Sequence, residues 1–94
     1  RVTLGNAFPN PSSGKTHIPF TLPERNGLFQ VQMEVFDMMG RKVATVLNKE
    51  LPTGFYQADW QPGEIPTDGL YTYRLSVSAG NNSEVLSGKV LMKK

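Results

Sequence analysis

Apolar residues in this chain recur at every second position, and that period leaves few folds open. From Phe29 onward, Phe29, Val31, Met33 and Val35 alternate with Gln30, Gln32 and Glu34, which makes a strand with one dry and one wet face. Lys15 to Leu22 sets Thr16, Ile18, Phe20 and Leu22 against Lys15, His17, Pro19 and Thr21. Pro19 has no N–H for a ladder, so this strand is expected at a sheet edge. Tyr56, Ala58 and Trp60 alternate with Gln57 and Asp59; Tyr71, Tyr73, Leu75 and Val77 alternate with Thr72, Arg74, Ser76 and Ser78. Arg41 to Leu47 also reads as a strand, although Val43, Ala44, Val46 and Leu47 choose no face. In the last strand, from Glu84, one face carries Leu86, Gly88, Val90 and Met92. The other carries Val85, Ser87, Lys89, Leu91 and Lys93, so Leu91 points to water between two lysines. Val2 to Leu4 supplies a candidate seventh strand. No segment has a helical period. The expected class is all-β: an immunoglobulin-like antiparallel β-sandwich of about seven strands.

Turn chemistry supports the same class. In Asp37-Met38-Met39-Gly40 the aspartate can accept the Met39 N–H, and Gly40 can take the positive φ that closes a type I turn with a bulge. Gly80-Asn81-Asn82 is expected to join the last two strands as a hairpin. Leu51-Pro52-Thr53-Gly54 and Pro66-Thr67-Asp68-Gly69 each end in glycine just before an aromatic-led strand. Asp68-Gly69-Leu70-Tyr71 has the form of a tyrosine corner, in which the Tyr71 hydroxyl returns to the preceding loop. The expected core is Ile18, Phe20, Leu22, Val31, Met33, Val35, Tyr56, Trp60, Tyr71, Tyr73, Leu75, Val77, Leu86, Val90 and Met92.

Ninety-four residues suit one core. We divide them into residues 1–6, a linker or first strand, and 7–94, a single sandwich domain. Ten basic residues against eight acidic ones are scattered along the chain, without the aromatic-interleaved stripe of a nucleic-acid binder. No nucleic-acid partner is expected. Cysteine is absent, so disulfides and thiolate metal sites are excluded. No apolar run approaches the roughly 20 residues of a membrane helix, and direct membrane insertion is not expected. The chain opens on Arg1 without a signal peptide, which reads as a piece of a longer protein.

The residues offer little chemistry. His17 is the only histidine, and its register puts it on a solvated face. The eight carboxylates have no EF-hand spacing, and Asp37 and Asp68 are accounted for by turns. There is no phosphate-binding glycine loop. Asn81-Asn82-Ser83 has the form of a glycosylation sequon, which is also ordinary hairpin chemistry. We expect no enzyme activity, no metal site and no cofactor. Phe55, Tyr56 and Trp60 could form a sugar-stacking platform, but the inward register of Tyr56 and Trp60 favours core packing.

Five segments in order resemble the type A C-terminal sorting domain of the type IX (Por) secretion system. They are Phe8-Pro9-Asn10-Pro11; Val35 to Val43, with Asp37-Met38-Met39-Gly40-Arg41; Leu51 to Tyr56, with Gly54; Gly69-Leu70-Tyr71; and the lysine-flanked Gly88 to Lys94. The resemblance implies a non-catalytic export signal behind a cargo domain in the same chain of a Gram-negative bacterium. The cargo would pass through the periplasm to the translocon. It would then be secreted or held at the cell surface, usually after a sortase removes the signal near or before Arg1 to Gly5. Carried over by position, the family motif residues are Asp37, Gly40, Gly54, Gly69 and Tyr71. The residues that meet the translocon are Lys89, Val90, Leu91, Met92, Lys93 and Lys94. A related immunoglobulin-like module of flagellar hook-capping proteins shares the Asp-x-x-Gly-Arg and Gly-x-Tyr segments. An accessory spacer of that kind, or a carbohydrate-binding module using Trp60, is the alternative.

The strand pattern suggests two ways for a terminal signal to be read. A partner can add a strand to an exposed edge, or grip the outward side chains as a patch. On either reading, deleting Val90 to Lys94 is expected to stop export.

Overall fold

A computed structural model describes residues 1–63 and 68–94. Its elements are β1 (Thr3–Leu4), β2 (Thr16–Leu22), β3 (Phe29–Phe36), β4 (Lys42–Leu51), β5 (Gly54–Trp60), β6 (Gly69–Ala79) and β7 (Asn82–Met92). They form a three-stranded sheet ordered β1-β2-β5 and a four-stranded sheet ordered β4-β3-β6-β7, with every pairing antiparallel. The expected all-β sandwich is what the chain builds.

The tight turns decide which sheet each strand joins. In the constant-type immunoglobulin order the fourth strand crosses to the first sheet. Here Asp37-Met38-Met39-Gly40 prevents that. Gly40 N–H donates to the Asp37 carbonyl at 3.0 Å, Asp37 N–H to the Arg41 carbonyl at 2.9 Å, and Gly40 sits at φ 82. That is the expected bulged turn, and it folds β4 straight back on β3. Between Ala79 and Asn82, Gly80 at φ 60 followed by an Asn81 without positive φ gives the pattern of a type II′ turn.

Period-two burial produces the core. β3 buries Phe29, Val31, Met33 and Val35, β6 buries Tyr71, Tyr73, Leu75 and Val77, and β2 supplies Ile18, Phe20 and Leu22. Tyr56 and Leu86, expected inside, are only partly buried and pack against the core. Val2, Ala7, Phe29 and Ala58 are buried in addition to the expected set. Two hydroxyl residues are also inside. Ser12 and Thr16 share a hydrogen bond at 2.8 Å, and each reaches the Gly14 carbonyl at 3.0 Å. Among the described residues no buried side-chain nitrogen or oxygen lacks a partner.

Two expectations are corrected. β2 is the middle strand of its sheet, not an edge. Pro19 is tolerated because its carbonyl, and hence its missing N–H, face the β1 side. There Gly5 N–H donates to the Pro19 carbonyl at 2.8 Å, and pairing resumes only where Phe8 and His17 exchange bonds at 2.8 and 2.9 Å. The absent donor falls in the gap. His17, in turn, is not simply solvated. Its ring lies 5.1 Å from that of Phe8, and its Nδ1 is 2.8 Å from Asp59 Oδ1.

Candidate functional site

The final strand is where sequence and fold converge. β7 pairs with β6 over its whole length, from Asn82 opposite Ala79 to Met92 opposite Gly69. Alternation then divides the six terminal residues. Val90 and Met92 are buried under the sheet, at 0% and 4% exposure. Leu91 is 38% exposed and Lys89, Lys93 and Lys94 face solvent. Side-chain contact with a partner is left to those four.

The backbone edge is another matter. β7 ends the four-stranded sheet, so its outward N–H and C=O groups should be open. At the terminal end they are occupied. Asn10 Oδ1 accepts the Leu91 N–H at 3.0 Å, Ser12 N–H donates to the Leu91 carbonyl at 2.8 Å, and Lys93 N–H donates to the Ser12 carbonyl at 2.8 Å. Ser12 and Met92 thus form a parallel bridge. Just beyond, Lys94 N–H donates to Asp68 Oδ1 at 3.0 Å. Strand addition along Leu91 to Lys93 would require residues 10–12 to leave. Asp68, read as a turn residue, is also a cap for the terminal strand.

Sequence reasoning missed this role of Pro9-Asn10-Pro11. The signal was there in part: two prolines leave this segment few backbone donors for a ladder, which favours a bond through the Asn10 side chain.

The other motif residues are structural. Asp37 Oδ1 accepts the Met39 and Arg41 N–H groups at 2.9 and 3.0 Å, while Oδ2 takes Arg41 Nε at 3.0 Å. Gly69 has φ 147, a conformation that favours glycine. Gly54 opens β5 against the Tyr56 ring, which a Cβ there would meet at 3.3 Å. Tyr71 is buried and edge-on to Trp60, with ring centroids 5.8 Å apart. The loop its hydroxyl was expected to reach includes Pro66 and Thr67, which lie outside the described residues. Two other tyrosines make such tethers. Tyr56 hydroxyl donates to the Pro52 carbonyl at 2.6 Å, and Tyr73 hydroxyl donates to the Gly5 carbonyl at 3.0 Å while accepting Ala7 N–H at 3.1 Å. Gly88 must be glycine for the same reason: a Cβ there would fall 2.4 Å from the Tyr73 hydroxyl.

Part of the charge on the outer faces is paired. Glu34 accepts Arg74 Nη2 at 3.2 Å and Lys42 Nζ at 3.3 Å, and the Arg74 guanidinium lies 4.4 Å from the Phe36 ring centre. Burial resists ionising Glu34, but the bonds and charges of Arg74 and Lys42 outweigh it and its pKa is lowered. Asp37 is lowered chiefly by the Arg41 N–H, against some desolvation, and then by the Met39 N–H and the Arg41 side chain. Asp59 is lowered by His17, then Gln57, against desolvation, with smaller help from the His17 and Lys15 charges. A depressed folded-state pKa gives stability that is present above the unfolded pKa and lost as pH falls through the folded one. The melting temperature is therefore expected to fall as pH drops below about 4. Asp37→Asn should lower it at neutral pH and flatten that acid slope. An unchanged slope in this variant would exclude Asp37 as a contributor.

The sugar-stacking platform is not one surface. Trp60 is 5% exposed and inside the core, whereas Phe55 is 90% exposed on the opposite face of β5. Among the described residues no three His, Cys, Asp or Glu side chains could hold a metal ion together.

No curated protein and no solved structure was found to match the chain. A family model described as a secretion system C-terminal sorting domain matches residues 6–93. Its match takes in both the Pro9-Asn10-Pro11 segment and the β7 edge that this segment covers. Such a tail implies a cargo that is secreted or held at the cell surface of a Gram-negative bacterium, in contact with the type IX machinery. This chain belongs to the C-terminal sorting domains of the type IX secretion system.

Proposed function

We propose that residues 7–94 form a non-catalytic address whose outward terminal side chains, Lys89, Leu91, Lys93 and Lys94, are read by the translocon. On this reading the cargo domain precedes the sandwich in the same chain and crosses the periplasm with it. A sortase then removes the sandwich ahead of its first strands. Val90 and Met92 serve the address by anchoring it in the core.

One observation carries the choice of a side-chain patch over strand addition: the edge of β7 from Leu91 to Lys93 is already hydrogen-bonded to Asn10 and Ser12. A partner adding a strand there would first break those bonds. A partner gripping side chains would find Leu91 between two lysines on a strand paired with β6 along its whole length. Such lysines set orientation and encounter rate more than affinity.

The test is Lys89→Ala with Lys93→Ala in the chain fused to a periplasmic fluorescent protein, in a host that has the translocon. Both side chains are exposed, so the melting temperature should stay within about 2 °C of the parent. The fusion should accumulate in the periplasm. Export at parental yield with both lysines gone would refute the address.

A further inference from the structure

The outer face of the four-stranded sheet changes character along its length. Toward the Gly80-Asn81 turn its cross-strand rows are Gln30 with Ser78 and Ser83, and Gln32 with Ser76 and Val85. Toward the chain terminus the rows become Phe36 with Thr72 and Lys89, then Leu70 with Leu91. Met38, 76% exposed in the β3–β4 turn, extends the apolar run past Phe36. Leu70 and Leu91 are each 38% exposed. An open hollow lies here, bordered by the β3–β4 turn on one side and by Lys89 and Ser87 on the other.

Its charge is unbalanced. Arg74 and Lys42 share Glu34, and Arg41 is matched by Asp37. Lys89 and Lys93 have no carboxylate partner among the described residues. The hollow therefore offers exposed apolar side chains beside uncompensated positive charge. Arg74 is fixed in place by both Glu34 and the Phe36 ring.

We infer that this hollow is the second half of the recognition surface and takes an acidic protein segment, one apolar side chain flanked by carboxylates, laid across Phe36, Met38 and Leu70 toward Lys89. The inference rests on the sorting address proposed above and extends it from the terminal strand to the Asp37–Gly40 turn. Methionine suits such a contact because its unbranched, polarisable side chain adapts to the group it meets. Lys89 supplies the charge complementarity that orients the segment. A protein segment fits better than an anionic lipid surface because the site is a hollow bordered by a turn, with Lys89 at its edge. One side chain can enter that shape and a flat layer of headgroups cannot.

Charge placed on the exposed rim tests the idea without touching the fold. Met38→Glu, in the same fluorescent fusion and host, should reduce export about tenfold by setting a carboxylate against the acidic segment. Met38→Lys should lose clearly less than Met38→Glu, since it gives up the same apolar contact but adds to the complementary charge. Met38→Ser with Leu70→Ser should reduce export several-fold by removing apolar contact. Phe55→Ser, at a still more exposed apolar residue on the other sheet, should change nothing. Thermal melts of each variant should match the parent.

Equal export of the Glu and Lys variants, or the reverse order, would overturn the inference. So would a Phe55→Ser loss as large as that at Met38. Binding of the chain to phosphatidylglycerol vesicles that Met38→Glu abolishes would assign the hollow to lipid and overturn the protein segment. If the Met38 and Leu70 variants export normally while Lys89→Ala/Lys93→Ala does not, the hollow fails and the terminal address stands.

Discussion

A chain ending at Lys89 is expected to show no cooperative melting transition at all. The deletion removes Val90 and Met92, 0% and 4% exposed, and truncating a large core side chain costs about 2–5 kcal/mol each. It also strips Gly69, Leu70 and Tyr71 at the start of β6 of their partners. Asn10 and Ser12 lose Leu91 and Lys93, and Asp68 loses the Lys94 N–H. A domain of this size has only about 5–15 kcal/mol in all. Circular dichroism should show a sloping baseline in place of a sigmoid. Export should fail as well, but that failure says nothing about recognition, because an unfolded tail and an unread address leave the same cargo in the periplasm. The lysine and Met38 variants carry the functional question because they leave the core intact. A sharp transition in the truncated chain would mean that β7 contributes far less to the sandwich than its pairing implies.

How far the fold could be read depended on whether each strand kept one phase. β3, β6 and β7 keep one phase along their length, even though Phe36, Leu70, Val85 and Leu91 put apolar groups on the outer face, so their inward residues could be named from alternation. β4 does not keep phase. Met33 faces Leu47 but Glu34 faces Thr45, and Val35 faces Ala44 but Phe36 faces Lys42. Val46 and Val43 are thus extra residues in two bulges, and each shifts the alternation by one. That is why Val43, Ala44, Val46 and Leu47 chose no face. Pro19 was misplaced for a different reason. A proline excludes a donor on one side of a strand only, and sequence does not say whether that side needs one.

The candidate site divides the same way. Lys89, Leu91 and Lys93 were legible as outward residues because β7 alternates. The cover on their backbone was not, since it joins Asn10 to Leu91, 81 positions apart, through a side chain. No local pattern marks such a contact. Gly88 was more accessible than it was taken to be. A glycine inside a strand signals a close approach, and here the approaching group is the ring of Tyr73, whose hydroxyl ties the segment from Gly5 to Ala7 to the sheet. The hollow at Met38 lay outside any strand period and had to wait for the turn to be placed beside β6 and β7.

Trp60→Ala is expected to cost about 3–5 kcal/mol, the largest loss from any single substitution considered. Trp60 ends β5 in the three-stranded sheet, opposite Thr16. It meets Tyr71 of the four-stranded sheet edge-on, with centroids 5.8 Å apart. Tyr71 in turn lies opposite Val90, so the indole joins the two sheets beside the terminal strand. Aromatic pairs of this geometry couple by about 0.5–1.5 kcal/mol beyond the area they bury. A double-mutant cycle of Trp60→Ala and Tyr71→Ala should return that coupling, and Trp60→Phe should keep part of it. Urea unfolding must be followed by circular dichroism, because Trp60 is the only tryptophan and its fluorescence leaves with it. Because the contact sits next to Val90, the loss should also loosen the hold on Leu91 and Lys93. Amide exchange at the end of β7 should then rise more than exchange at Val31 or Leu75 in the middle of the four-stranded sheet. A loss below about 1 kcal/mol, or uniform acceleration of exchange, would show that the sheets are held together elsewhere.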